Sequence, residues 1–557
     1  MQPLKKVRFF RILQLRMWKK LWFKLSTTIL GGAIVIGLTG VLSRVLGLVR
    51  DRLLASTFGG GGALDPYFAA FKLPDFIFNV LVLGALSSSF IPVFVGYLKK
   101  HDGEQNPDHA EAWRIANSVL NLLLIVLVGL GLIFFIFANQ LVPLVAPGFS
   151  GERLATTIQL SRIMLVAIIF FGASNIVSAI LNSFKRFFAF ALAPVLYNLG
   201  IIAGIVWFVP RWGIAGLAYG VVVGALAHLL IQVPGVFRLG FRYQRILDFK
   251  HAGVRQIGRL MLPRTFGLAV NQIDQLVSTI IASSLAAGSL TQFNFANNLQ
   301  NFPINVFGVS LAIAVFPAFS EAYAAKDMQS FIGHFSRTVR RLLVVMIPAS
   351  VLLLILRAQI VRVVVGAEAF DWDATYQTAQ VLGYFTLSIF AQALIPILAR
   401  SFYALHDTAT PVKVGIAAVI VDIVCAIYFS RHFGVIGLAL AFSISSLLNM
   451  LGLYAILRRR LGSLDDERVA RSTTKIVIAS LVAGVAAWAL LRFAALGVDM
   501  RTLVGIFLQG LIAGVGGIMT YLITASLLHV EEVQVFRDWW GRVRQFMRNG
   551  DRITKYE

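Results

Sequence analysis

The chain is poor in the residues on which soluble domains depend. Only 14% of its 557 residues are charged, against roughly 25% in an ordinary soluble domain, and 58% are hydrophobic, so it needs lipid as its solvent. Its single cysteine, Cys425, lies inside an apolar run, which excludes an internal disulfide framework and a cysteine-based zinc or iron–sulfur site. It lacks a Gly-x-x-x-x-Gly-Lys-Ser/Thr phosphate loop and a His-Glu-x-x-His pair, and its eight histidines are scattered. Enzymatic chemistry is therefore not expected, nor a bound cofactor. Acidic residues are scarce too, 26 against 50 Lys and Arg. Nucleic-acid binding does not follow, because the basic residues sit in short loops between apolar runs rather than on one soluble face. No short apolar core ends at a small-residue cleavage site near the N-terminus, so no signal peptide is expected.

What the chain has in abundance is apolar sequence. Runs of about twenty residues, the length that crosses a hydrocarbon core, recur from Thr27 to Leu528. They place helices near 27–57, 63–97, 113–138, 157–182, 186–209, 213–236, 255–286, 293–325, 332–356, 374–405, 411–430, 433–457, 472–496 and 502–528. The expected fold is an all-α polytopic membrane protein with fourteen transmembrane helices. With the N-terminus cytoplasmic, 36 Lys and Arg fall on the inner side, 8 on the outer side and 6 in or near helix ends. That asymmetry argues for both termini inside.

Internal repetition organises these spans. Trp212-Gly213-Ile214-Ala215-Gly216-Leu217-Ala218 returns as Phe433-Gly434-Val435-Ile436-Gly437-Leu438-Ala439, and Arg44-Val45-Leu46-Gly47-Leu48 resembles Arg264-Thr265-Phe266-Gly267-Leu268. The offsets of about 220 residues define two six-helix lobes, 27–236 and 255–457, joined by a basic linker at 237–254. Six is even, so the lobes enter the membrane in the same sense, as parallel repeats flanking a cavity. Residues 458–528 supply two additional helices. Residues 1–26 and 529–557 are basic and amphipathic, which suits segments lying on anionic membrane lipids.

Ionisable groups inside apolar runs are the candidate site residues, since a charge at the bilayer centre costs at least ~2.5–3.5 kcal/mol on insertion scales. Arg44, Arg50 and Asp51 lie in the first span, with Ser43, Gly47 and Arg50 on one face. Asp65, Lys72 and Asp75 lie in the second, where Pro74 removes a hydrogen bond to Ala70 and should bend the helix. Arg264 and Asp274 lie in the seventh span. The eighth carries the amides Asn294, Asn297, Asn298, Gln300 and Asn301 before Pro303, and Asp422 is deep in the eleventh. Each has a bland alternative: snorkelling or local pairing for the cations, interhelical ties for the amides, and pairing with arginine for the acids. Gly47, Pro74 and Pro303 are the expected bending points. Asp274 and Asp422 are the candidates for Na⁺ or H⁺ coupling.

Ser43-Arg44-Val45-Leu46-Gly47-Leu48-Val49-Arg50-Asp51, Phe58-Gly59, Asp65, Phe71-Lys72-Leu73-Pro74 and Ser89-Phe90-Ile91-Pro92-Val93-Phe94 together resemble the MurJ/MviN family of lipid II flippases, within the MOP exporter superfamily. Ala146-Pro147-Gly148-Phe149, Ile180-Leu181-Asn182, Phe302-Pro303 and Thr410-Pro411-Val412-Lys413 extend the resemblance. It implies a bacterial cytoplasmic-membrane transporter that moves polyprenyl-pyrophosphate-linked lipid II, or a related glycolipid, by alternating access, the transport unit being a monomer. It also implies that Arg44, Arg50, Asp65 and Lys72 line a cationic headgroup cavity. The chain departs where such proteins commonly show two arginines, a glutamate and an Ala-Asp-Arg stretch: here stand Phe78, Asn79, Leu83, and Ala296-Asn297-Asn298. Arg264 could compensate for the missing helix-8 arginine, with Asn297 and Asn298 as polar contacts. An oligosaccharide-lipid flippase of the O-antigen type and a cation-coupled drug antiporter are the alternatives.

The charge asymmetry makes a direct prediction. Single cysteines at Gly61 and Gly288 should label with a membrane-impermeant thiol reagent from outside intact cells; labelling only after the inner face is opened would reverse the topology.

Overall fold

A computed structural model describes residues 29–83, 85–99, 109–367 and 369–533. The segment expected at 1–26 and most of the tail expected at 529–557 lie outside the described residues. Among the described residues every regular element is a helix. In chain order they are α1 (Ile29–Phe58), α2 (Asp65–Ala70, Lys72–Phe78 and Ala85–Lys99, with a π-helical turn at Asn79–Leu83), α3 (Ala110–Ile136), α4 (Ala138–Val145), α5 (Gly151–Ser183), α6 (Phe187–Ala203, continuing to Trp212), α7 (Ala215–Leu230, then Val233–Phe237) and α8 (Ala252–Ser283). The second half holds α9 (Ser289–Pro303 and Ser310–Ala324 about a π turn at Ile304–Val309), α10 (Met328–Ile355), α11 (Arg357–Val364), α12 (Trp372–Thr386 and Ile389–Ala404), α13 (Ala409–Phe433), α14 (Val435–Leu461), α15 (Asp466–Ala494) and α16 (Leu503–Leu527).

Among the described residues ten helices are long and apolar enough to cross a membrane, and α12, bent by 44° at its break, makes an eleventh if taken as one span. The segments α1, α2 and α8 occupy the remaining expected positions, so the architecture is compatible with fourteen spans. The outward faces are apolar. On α13, Ile420, Val424 and Tyr428 are exposed, an arrangement that water would penalise and hydrocarbon does not.

The helices gather into two compact units, one running to Phe58 and resuming over Gly62–Ser284, the other taking Gly59–Gly61 and everything from Leu285. The boundary therefore falls after α8, not in the 237–254 linker, because α8 packs on α2 and α4. The first unit is centred on Phe90, Phe94, Ile115, Leu127, Ile176 and Ile180. The second is centred on Phe319, Phe331, Phe335, Phe402, Leu457 and Ile476. Within the first, α6 and α7 meet through glycines: a Cβ on Gly200 would lie 2.2 Å from the Gly224 Cα, and one on Gly204 2.6 Å from the Gly220 Cα. In lipid such close backbone approach replaces the hydrophobic drive that holds helices together in water.

The repeat seen in the sequence is present in backbone detail. Gly213 and Gly434, 221 residues apart, both have positive φ (56° and 57°) with ψ near −140°, a conformation essentially confined to glycine. Three residues on, Gly216 and Gly437 press against equivalent backbone, their missing Cβ atoms falling 2.5 Å from the Phe208 carbonyl carbon and 2.4 Å from that of Phe429. Lys185 and His406 end α5 and α12 at φ 56° and 59°. Each is followed by an amide that reaches back five residues, Arg186 to Leu181 and Asp407 to Phe402, the Schellman stop of a helix. The short α4 and α11, which the hydropathy runs did not reveal, also correspond: each has eight residues and follows its long helix after one linking residue, Phe137 or Leu356.

These contacts predict matched effects in the two units. Gly216→Ala and Gly437→Ala should each lower the thermal stability of the detergent-solubilised protein, by about 1–3 kcal/mol. Gly61→Ala should not, because Gly61 is exposed with nothing within 4 Å of its Cβ position.

Candidate functional site

The polar residues of the first unit are drawn into specific ties. On α1, Arg50 Nε and Nη2 donate to Asp51 Oδ1 at 3.0 and 2.8 Å, and Nη1 donates to Asn198 Oδ1 on α6 at 3.2 Å. The Asn198 amide in turn donates to the Ser43 carbonyl and hydroxyl, both at 3.1 Å. Ser43, Gly47 and Arg50 do share a face, and that face meets Asn198, toward which the Gly47 Cβ position points at 4.0 Å. The helix runs unbroken through Gly47. Arg44 is half-buried on the same helix.

Asp65 begins α2 and is buried, its Oδ2 accepting from Arg153 Nη2 of α5 at 2.7 Å. Arg153 also lies over the Phe149 ring, 4.6 Å from its centroid. The pair neutralises Asp65. Further along, α2 is interrupted at Phe71. Pro74 has no N–H for the Ala70 carbonyl, and Ser161 Oγ from α5 donates to that carbonyl at 3.3 Å instead. The irregularity continues as the π turn at Asn79–Leu83, a common accompaniment of functional sites. Lys72 sits within this bent stretch, half-buried. Among the described residues it has no ion pair, Asp75 one turn away acting on it through its charge.

Inside the first unit, α2, α5, α6 and α7 enclose a cavity of about 260 Å³ lined by Asp75, Phe78, Asn79, Phe171, Tyr197 and His228 with apolar neighbours. His228 belongs to a buried polar cluster: Ser174 Oγ lies 2.7 Å from His228 Nδ1, and Gln232 Nε2 donates to Ser174 Oγ at 2.7 Å.

The second unit answers the question posed by the amide run. Gln300 Nε2 donates to Asn297 Oδ1 at 2.9 Å, Gln392 Nε2 to Gln300 Oε1 at 3.0 Å and to Ser388 Oγ at 2.9 Å, and Ser388 Oγ to Ser443 Oγ at 3.0 Å. Asn297 thus belongs to a chain of ties across α9, α12 and α14, while Asn298 is half-buried beside it. Pro303 leads directly into the π turn of α9. Asp422 on α13 is buried and accepts from Ser445 Oγ of α14 at 3.1 Å. Asp274 on α8 is half-buried and belongs to the first unit. The Arg264 and Leu83 side chains lie outside the described residues.

Arg153, Asn198, Tyr197 and His228 were not singled out from the sequence. Asn198 carried a usable signal, a lone amide in the apolar run Ala193–Ala203. Arg153 did not, since a loop arginine looks like any other.

A family model described as lipid II flippase MurJ matches residues 54–508. The chain belongs to the MurJ family. The lipid II flippase MurJ of Burkholderia cenocepacia is 30% identical over 464 residues, 81% of this chain and 88% of that protein. The probable lipid II flippase MurJ of Vibrio cholerae is 30% identical over 437 residues, 77% and 83% of the two chains. Among solved structures, a lipid II flippase MurJ in an inward closed conformation superposes with a TM-score of 0.74 at 24% identity, covering 89% of this chain and 99% of that one. An inward-facing multidrug resistance MATE transporter of the MOP superfamily gives 0.63 at 16% identity, covering 76% and 96%. These likenesses support the fold. Where the MurJ resemblance leads one to expect arginines after Leu73-Pro74, Phe78 and Asn79 line the cavity instead.

The Arg50 network makes a stability prediction. Arg50→Ala removes the guanidinium paired with Asp51, which is 3% exposed, and should cost about 3 kcal/mol, whereas Asn198→Ala should cost about 1 kcal/mol. Thermal unfolding that ranks the two the other way would show that the Arg50–Asp51 pair is not what holds this region.

Proposed function

We propose that this protein is a lipid II flippase, an integral transporter of the bacterial inner membrane that moves the polyprenyl-pyrophosphate-linked precursor from the inner to the outer leaflet. The observation that carries the reading is the family match across most of the chain. Members of this family are named for transport, and the chain is read as a transporter rather than an enzyme. Neither alternative, an oligosaccharide-lipid flippase or a drug antiporter, has comparable support, the MATE likeness being one of fold.

In this reading Arg44 and Lys72 hold the pyrophosphate. Arg44 suits a bidentate phosphate contact, since the guanidinium presents a planar fork that an ammonium lacks. Lys72, half-buried and without a salt bridge among the described residues, is a point charge available to an anion. Arg50, engaged with Asp51 and Asn198, contributes its field, and Asp65, neutralised by Arg153, is the proposed polar member of the same lining. Arg264 and Asn298 are the further contacts proposed, Asn297 being engaged in the ties of α9. The bent stretches after Pro74 and at Pro303, with Gly47 as a further flexible point, are the proposed hinges.

The empty carrier must return without ATP, so a gradient, the membrane potential or consumption of the product drives the cycle. One charge moved across 100 mV is worth ~2.3 kcal/mol, sufficient to bias two states by roughly fifty-fold. We assign Na⁺ or H⁺ coupling to Asp422, whose burial beside Ser445 supplies two oxygen-bearing side chains, with Asp274 as the second candidate. The transport unit is proposed to be a monomer, with both termini cytoplasmic and resting on anionic lipids.

Complementation of a strain depleted of its own lipid II flippase tests this assignment. The wild-type chain should restore growth, Arg44→Ala and Lys72→Ala should abolish rescue despite normal membrane levels, and Arg44→Lys should rescue poorly. Full rescue by all three variants would remove these residues from the binding site. Separately, Asp422→Asn should flatten the Na⁺ or pH dependence of transport; unchanged dependence would make Asp422 structural.

A further inference from the structure

The cavity inside the first unit is not an anion site. Its charged lining residue is Asp75, and among the described residues that carboxylate accepts no hydrogen bond and joins no ion pair. Around it stand Phe71, Phe78, Phe171 and Tyr197. The rings form a continuous wall: Phe171 touches Phe78, Tyr197 and His228 at centroid separations of 5.4, 5.0 and 5.4 Å, the latter two edge-on. The His228 ring is fixed by Ser174, which occupies Nδ1, and Asn79 adds an amide whose Nδ2 lies 3.4 Å from Gln272 Oε1.

A carboxylate sharing a cavity with several aromatic rings is the chemistry that receives an ammonium group: the anion supplies charge neutralisation and the ring quadrupoles solvate the alkylated surface. A phosphate or carboxylate would meet repulsion from Asp75 and no guanidinium in the lining, the charge of Lys72 reaching Asp75 only from outside it. Lys72 does not line the cavity. The volume, about 260 Å³, admits an alkyl-ammonium head with several waters, each of which takes roughly 30 Å³. The substitution of Phe78 and Asn79 for the arginines that the resemblance leads one to expect is what gives the cavity this character, so the property belongs to this chain rather than to the family pattern.

We propose that this cavity is a binding site for an organic ammonium group, with Asp75 as counter-ion and Phe78, Phe171 and Tyr197 as the cation-binding wall. The ammonium has two sources, a free amine on the headgroup of the transported lipid or a free organic cation. The first rests on the flippase reading above and makes Asp75 a specificity determinant for the headgroup; the second does not depend on it.

The test uses the full-length protein in nanodiscs with three probes: tetraethylammonium, lipid II bearing a free side-chain amine, and the same lipid with that amine acetylated. Tetraethylammonium should bind the wild type and lose at least about fivefold in affinity with Asp75→Asn and with Phe171→Leu. If the headgroup is the source, the free-amine lipid should bind at least about fivefold tighter than the acetylated one, and Asp75→Asn should erase that difference while leaving the acetylated lipid unaffected. Binding of tetraethylammonium alone, with no discrimination between lipids, assigns the site to free cations. Should Asp75→Asn, folded by its thermal transition, change neither tetraethylammonium binding nor lipid discrimination, the site is refuted. Failure of the wild type to bind or transport either lipid would instead refute the flippase reading, and the tetraethylammonium measurement would stand apart from it.

Discussion

A polar group that would otherwise face hydrocarbon must find its partner within the protein, because lipid offers none. That constraint explains the arrangement of most side chains in the candidate site. Arg50 is tied to Asp51 and Asn198, Asp65 to Arg153, and the carbonyl freed by Pro74 to Ser161. In the second unit a chain of amides and hydroxyls runs from Asn297 to Ser443, and Arg340 is buried against Glu532, which also accepts from Ser472. Against this background of satisfied groups, Lys72 and Asp75 differ. They are one helical turn apart on an irregular stretch of α2, neither joins an ion pair among the described residues, and the proposals above give them different purposes, the cation facing phosphate and the anion an ammonium.

The architecture was largely legible in the sequence because lipid-solvated helices are marked by length of apolar run, and a gene-scale repeat leaves matching glycines. Gly213 and Gly434 were recognisable as partners from their neighbours alone, and their shared positive φ gives the reason. The short helices α4 and α11 were not legible, since eight residues make no transmembrane signal and merge with the hydropathy of α3 and α10. The placement of α8 was also hidden. Repeat arithmetic puts it at the head of the second half, whereas packing against α2 and α4 puts it in the first compact unit, and no local pattern reports such a choice.

The site was legible in its residues but not in its pairings. Helical periodicity put Ser43, Gly47 and Arg50 on one face, yet the residue they face, Asn198, is about 150 positions away. Likewise, Asp65 was visible as an intramembrane acid, but its neutralising Arg153 sat in what looked like an ordinary loop end. The amides of α9 were ambiguous between substrate contacts and interhelical ties; for Asn297 the observed bonds are ties, because a run of amides facing two other helices satisfies them more completely than an open cavity would.

The central claim is transport of lipid II by this chain, and leaflet-resolved accessibility in reconstituted vesicles tests it most directly. Purified protein should carry labelled lipid II from the inner leaflet to the outer one, where an impermeant reagent or enzyme reaches it, at a rate well above protein-free vesicles and reduced to that background by Arg44→Ala. Equal rates in vesicles with and without the folded protein, under an imposed membrane potential or Na⁺ or H⁺ gradient, would contradict the account.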